Sequence, residues 1–173
     1  MSKRVPDFVN PFRAAESGQT IAGRVEFARM GRLVEAVENR DGGAEVSLSF
    51  AVDEQDIPHV RGKVNGEVVL ICQRCLEPMA VPIAIEMALG IVGSDDEAKR
   101  LPEHYEPLVT GGKPLAIAEL IEDEILLALP VIPRHDDGVC AAANVANKEE
   151  PGDEDDASST NPFAVLARLK SKH

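Results

Sequence analysis

Tryptophan is absent from this chain of 173 residues, tyrosine occurs once and phenylalanine five times. A core built on large rings is therefore excluded, and with hydrophobic residues at 44% the packing has to come from Val, Ile, Leu and Ala. Extensive base stacking on exposed aromatics is excluded by the same scarcity. No apolar run approaches the ~20 residues that span a bilayer, and no apolar stretch follows Lys3 and Arg4. Neither a membrane role nor a secretory leader is expected. Cysteine is scarce as well: three residues, an odd number, argue against a disulfide framework and for a reducing, cytoplasmic setting. The nucleophile elbow, the phosphate loop and the dinucleotide fingerprint are all missing. His59, His104 and His173 have no recognisable partners, so the expectation is a protein that is not an enzyme, with no catalytic residue and no small-molecule substrate.

Positive charge is also in deficit. The 18 Lys and Arg against 30 Asp and Glu leave a net charge of −12. Affinity for a phosphate backbone comes from displacing counterions with cations, so direct nucleic-acid binding needs a local basic patch. An acidic surface suits a basic protein partner more naturally.

What is present reads as one α+β domain. Residues 1–18, with Pro6, Pro11 and Gly18, read as an extended N-terminal arm. Thr20 to Phe27 alternates as a short half-buried strand, and from Ala28 to Glu38 the period becomes helical through Met30, Leu33, Val34 and Val37. Glu45 to Val52 alternates again. Ile57 to Cys72 is a longer β-like stretch in which Gly62 and Gly66 suggest a bulge or turn. Met79 to Val92 completes the set. Consecutive strands without intervening helices imply an antiparallel β-meander. Gly93 to Leu101 is a polar loop and the next residues, to Pro107, an irregular extended segment.

The long amphipathic helix spans about 115–129, with Ile117, Leu120, Ile121, Ile125 and Ala128 as its apolar stripe, Pro114 in its first turn, and Glu119, Glu122, Asp123 and Glu124 on the wet side. At helical spacing that cluster of acids reads as a solvated face. The domain is expected to occupy residues 1–140. Residues 141–160 hold six acids against one lysine, the composition of a disordered acidic linker. Asn161 as N-cap and Pro162 at the first helical position then open a short C-terminal helix within 161–173, too short to stand alone and so a docking element.

Two constellations carry chemistry. Cys72 and Cys75 have the C-x2-C spacing that brings two thiolates from one turn onto one metal ion, and His135 with Cys140 can complete a Cys3His set around one structural zinc. The competing reading is two buried or reduced thiols at a strand end. The second constellation is basic. Residues 1–40 hold seven basic against five acidic side chains, with Arg13, Arg24, Arg29 and Arg32 among them. They form either an RNA contact patch or a solvated face with partners such as Arg32 and Glu35.

Cys72-Gln73-Arg74-Cys75-Leu76-Glu77-Pro78, IEDEILLALPVIPRH from Ile121 to His135, LPEHYEP from Leu101 to Pro107 and NPFAVLARLK from Asn161 to Lys170 together resemble the YceD family, the bacterial large ribosomal RNA subunit accumulation proteins, in a proteobacterial-type member. The resemblance implies a non-enzymatic ribosome-biogenesis role in the synthesis, processing or stability of 23S ribosomal RNA. Its partners would be 23S ribosomal RNA or its precursor, large-subunit ribosomal proteins, or both. Contact would fall on Arg74, the arginines at 13, 24, 29 and 32, and Phe163, Arg168 and Lys170 of the last helix. The alternative is an acidic adaptor that holds a basic ribosomal protein or assembly factor without touching RNA.

Overall fold

The computed structural model describes residues 5–136, 139 and 140. Four antiparallel strands in sequence order, β2 (Thr20–Glu26), β3 (Gly43–Val52), β4 (Pro58–Ile71) and β5 (Pro78–Val92), form the expected meander. A further strand, β6 (Glu106–Val109), extends the sheet and runs parallel to β5, so the sheet is mixed. A parallel neighbour needs a crossover of about a dozen residues or more. Residues 93–105, read from sequence as loop, supply it, with the short helix α3 (Asp95–Ala98) inside.

Alternation decides which face of the sheet is dry. On β3, Ala44, Val46, Leu48 and Phe50 are buried while Glu45, Ser47 and Ser49 are exposed. On β4, Val60, Val64 and Val68 continue the apolar face and Arg61, Lys63 and Asn65 the wet one. The expected bulge at Gly62 and Gly66 is absent: pairing with β5 runs without a break from His59 opposite Gly90 to Ile71 opposite Pro78. Gly62 serves packing instead. A Cβ there would stand 2.6 Å from Met87 Cε and 2.7 Å from Leu48 Cδ2, so the absent side chain is the space into which its neighbours pack.

The arm is not simply extended. Asn10 accepts from the Arg13 backbone N–H at 3.1 Å and Pro11 holds the first turn of α1 (Pro11–Glu16), which buries Ala14 and Ala15. Before it, β1 (Phe8–Val9) pairs antiparallel with β7 (Leu115–Ala116). That pairing takes Leu115 and Ala116 out of the long helix, which becomes α4 (Ile117–Ala128). Ile117, Leu120, Ile121 and Ile125 are buried as the stripe predicts, whereas Ala128 is exposed and Glu122 is buried. The helix expected from Ala28 is broken at Met30 into a single 3-10 turn (Phe27–Arg29) and α2 (Gly31–Ala36). Met30, Leu33 and Val37 are nonetheless buried.

Glu122 shows what the periodicity misses. Its carboxylate accepts from the backbone N–H groups of Arg32, 2.6 Å, and Leu33, 3.0 Å, and from the Arg32 guanidinium at 3.0 and 2.7 Å. An acid on the buried side of α4 thereby satisfies open donors at the start of α2 and ties the two helices together. No helix among the described residues is long and apolar enough to cross a membrane. The acidic linker and the C-terminal helix expected at 141–160 and 161–173 lie outside the described residues.

Candidate metal centre

The β4–β5 hairpin ends in a turn at Cys72 to Glu77. The Cys72 N–H donates to the Glu77 carbonyl at 3.0 Å and the Leu76 N–H to the Cys72 carbonyl at 2.9 Å. Closing this turn sets Leu76 at φ 61°, a left-handed conformation that a branched side chain resists. At the other side of the site, Pro130 and Pro133 follow α4 and bar its continuation. The returning strand of chain lies against the tip, where the Gln73 N–H donates to the Pro133 carbonyl at 2.8 Å. The end of α4 is thus led beside the hairpin tip, the geometry that a four-ligand site requires.

Cys72, Cys75, His135 and Cys140 meet there, with one donor atom from each, all within 4.8 Å of one another. Cys72 and Cys140 are buried, Cys75 and His135 half-buried. The chemistry of the set fits zinc. A tetrahedron with Zn–S of ~2.3 Å and Zn–N of ~2.0–2.1 Å has S–N edges of about 3.6 Å, and Cys75 Sγ stands 3.4 Å from His135 Nδ1. Cys72 Sγ also accepts from the backbone N–H groups of Arg74 and His135, each at 3.5 Å. Burial opposes ionisation of this thiol, but the N–H groups of Cys75, His135 and Arg74 outweigh it and bring the pKa down to about 5. Cys75 moves the other way: the Glu77 N–H favours its thiolate, yet burial and the adjacent Cys140 and Cys72 sulfurs push it up. One thiolate is therefore ready at neutral pH, and a bound cation is what deprotonates its neighbours.

Among the described residues the predicted contact arginines fall on separate elements. Arg13 is exposed on α1, remote in sequence from the tip. Arg24 pairs with Glu26 at 3.2 Å and Glu45 at 3.7 Å, Arg29 with Asp7, and Arg32 with Glu122 and Asp123 at 2.7 and 2.6 Å. The Arg32 partner is α4, not Glu35. Arg74 is half-buried at the knuckle, and Phe163, Arg168 and Lys170 lie outside the described residues. Two histidines read as surface residues have partners: His59 is buried and meets Tyr105 at a tilt of 30°, with ring centroids 5.2 Å apart, and His104 meets the same tyrosine at 46° and 4.2 Å. The HY pair and the outward positions of β4 held that signal, but only the fold brings them together.

A mixed sheet whose longest hairpin ends in a Cys3His donor cluster defines a small α+β protein with a candidate metal centre at the hairpin tip. The chain belongs to the YceD family: the sequence model described as "Large ribosomal RNA subunit accumulation protein YceD" matches residues 60–170. A protein of that name from Haemophilus influenzae is 36% identical over 171 residues, covering 98% of both chains. No solved structure matches the chain.

Proposed function

We propose that this protein is a non-enzymatic factor in the accumulation of 23S ribosomal RNA, acting on the precursor or on the assembling large subunit, and that Cys72, Cys75, His135 and Cys140 hold one structural zinc. The end-to-end agreement with a relative bearing the accumulation name carries the reading. The donor cluster supports its non-enzymatic part, because four protein ligands fill a tetrahedral zinc and catalytic zinc keeps a position open. Bound there, the ion would fasten the hairpin tip to the chain that leaves α4. The three N-terminal arginines engaged by carboxylates, together with the net charge of −12, favour an adaptor for a basic partner as the second reading.

The test is genetic and chemical. Deleting the gene should lower 23S relative to 16S ribosomal RNA, and the wild-type gene should restore it; an unchanged ratio overturns the proposal. Protein purified without chelator should carry zinc, and elemental analysis that finds none removes the metal. If a ribosomal protein co-purifies after nuclease treatment while no RNA binds in a salt series, the adaptor reading replaces direct RNA contact.

A further inference from the structure

We propose that the open part of the sheet face, from a concavity around Arg61 and Lys63 to the ring cluster of His59, Tyr105 and His104, binds single-stranded RNA. The inference rests on the reading of the protein as a ribosomal-RNA factor and gives that reading a surface, one on which none of the arginines predicted from sequence lies except Arg24.

Helices α1, α2 and α4 pack on the apolar face, and the other face is open at its centre, the 93–105 crossover covering it around Gly90. Its centre is a shallow hollow of about 450 Å³ lined by Ser47, Ser49, Arg61, Lys63, Glu86 and Ala88. Strand register explains the shape. Arg61 lies between Ser49 and Ala88, and Lys63 between Ser47 and Glu86, so long cations on the central strand are flanked by short side chains. Two residues apart on one strand, they are spaced about 7 Å along it. Among the described residues Arg61 has no carboxylate in ion-pair contact, and its guanidinium lies by the Tyr105 hydroxyl instead. Lys63 is held by Glu86 at 2.6 Å. Within the hollow two cations face one acid, Glu86, while Glu26, Glu45 and Glu67 lie further out on the same face of the sheet.

Beyond Arg61 the hollow meets a cluster of tilted rings. Gly90 makes room for it: a Cβ there would lie 2.8 Å from Leu101 Cδ2 and 3.3 Å from Tyr105 Cβ. Tyr105 is buried and in ring contact with His59 and His104, and its hydroxyl donates to Asp53 Oδ2 at 3.2 Å. Asp53 is itself fixed by the N–H groups of Ile57, 2.9 Å, and Gln55, 2.8 Å. The outermost ring, His104, is exposed. In a chain with 3% aromatics, a ring cluster ending in the exposed His104, near a guanidinium with no carboxylate ion pair among the described residues, suits a base on the ring and phosphates on the cations. Hydroxyls of Ser47 and Ser49 are placed for the sugar or phosphate. An unpaired strand is required because bases inside a duplex offer no face to stack on.

Anisotropy with a labelled single-stranded RNA of about 12 nucleotides, within the range that sheet-based binders cover, tests this on the full chain. Arg61→Gln with Lys63→Gln should weaken binding at least tenfold at low salt and flatten the slope of log affinity on log salt by about 0.7 per cation. His104→Ala should cost about tenfold and leave that slope unchanged. Glu86→Gln, which frees Lys63, should tighten binding, a gain that misfolding cannot mimic. All these side chains but the ring pair beneath His104 are exposed, and unchanged melting confirms the fold. If wild type binds RNA but these variants equal it, the face is wrong while the ribosomal-RNA reading stands. If wild type binds no RNA in that series, the face and direct RNA contact fall together. A synthetic peptide of residues 141–160 binding more tightly than RNA would assign the face to acidic polypeptide and overturn the proposal.

Discussion

The β4–β5 hairpin is one continuous ladder, yet its two ends are held by different physics. Near β3 the inward side chains Val60, Val64, Leu89 and Ile91 are buried among Leu48, Phe50 and α4, and apolar burial is enough. At the tip the flanking Ile71 and Met79 are only half-buried, Pro78 is exposed, and Leu76 is 72% exposed. The aliphatic core thins there to Leu70 and a half-buried Met79, and sulfur and imidazole donors stand beside it. A chain poor in aromatic residues has little bulk with which to close so long a hairpin, and under the proposed zinc reading the ion would add a cross-link to the packing at the tip.

The largest effect expected from breaking this contrast is in the body. Phe50, 1% exposed, replaced by Ala should cost about 3–5 kcal/mol, read as a lower denaturation midpoint, while zinc per folded molecule stays unchanged. Next is Glu122→Gln, which weakens a carboxylate bonded to two backbone N–H groups and a guanidinium. A loss of about 2–3 kcal/mol at neutral pH follows from hydrogen bonds to a buried charge. Burial alone would raise the Glu122 pKa, but the Leu33 N–H and Arg32 outweigh it and hold the carboxyl below its ordinary 4.5. A depressed folded pKa means stabilisation that is complete above about pH 4.5 and lost as the pH falls through the folded value. The wild-type advantage over Glu122→Gln should therefore shrink in melts below that pH; a constant gap would show that the charge is not what binds α2 to α4.

Removing the metal should act on the tip alone. Cys72→Ser or Cys140→Ser should abolish zinc retention and expose the amides of Cys72, Gln73 and Leu76 to hydrogen exchange, while Val60 and Val64 keep their protection. The midpoint should move less than in Phe50→Ala. Collapse of the whole sheet on loss of zinc would erase the distinction between the two ends.

The same contrast governs what could be read from sequence. Period-2 alternation made β2 to β5 legible because each strand has one wet and one dry face, and the stripe on α4 was legible for the same reason. What failed were cases where tertiary demands override local signals. Gly62 looked like a bulge and is a packing vacancy for Met87 and Leu48. Leu115 and Ala116 fit a helix and were claimed by β1. Glu122 fit a wet face and is buried. Asn10-Pro11-Phe12 carries the same cap-and-proline signal as Asn161-Pro162-Phe163, yet without a long apolar run behind it the first passed as an arm. The Cys3His set was legible by elimination, since three thiols leave few choices. The ring cluster was not, because His59 and Tyr105 come from segments that only the sheet joins.

The smallest predicted effect sharpens the account of the tip. Leu76 sits at φ 61° with most of its side chain in solvent. A non-glycine residue in the left-handed region costs about 1–2 kcal/mol, and glycine returns ~0.5–1 kcal/mol of that as extra freedom in the open state. Leu76→Gly should thus tighten zinc about two- to fivefold, measured by chelator competition. Equal or weaker zinc binding would mean that the leucine side chain packs within the closed site after all. Tighter zinc together with a reduced ability to restore 23S ribosomal RNA would separate two demands on one residue: the turn favours glycine, and a contact outside the fold keeps leucine at its apex.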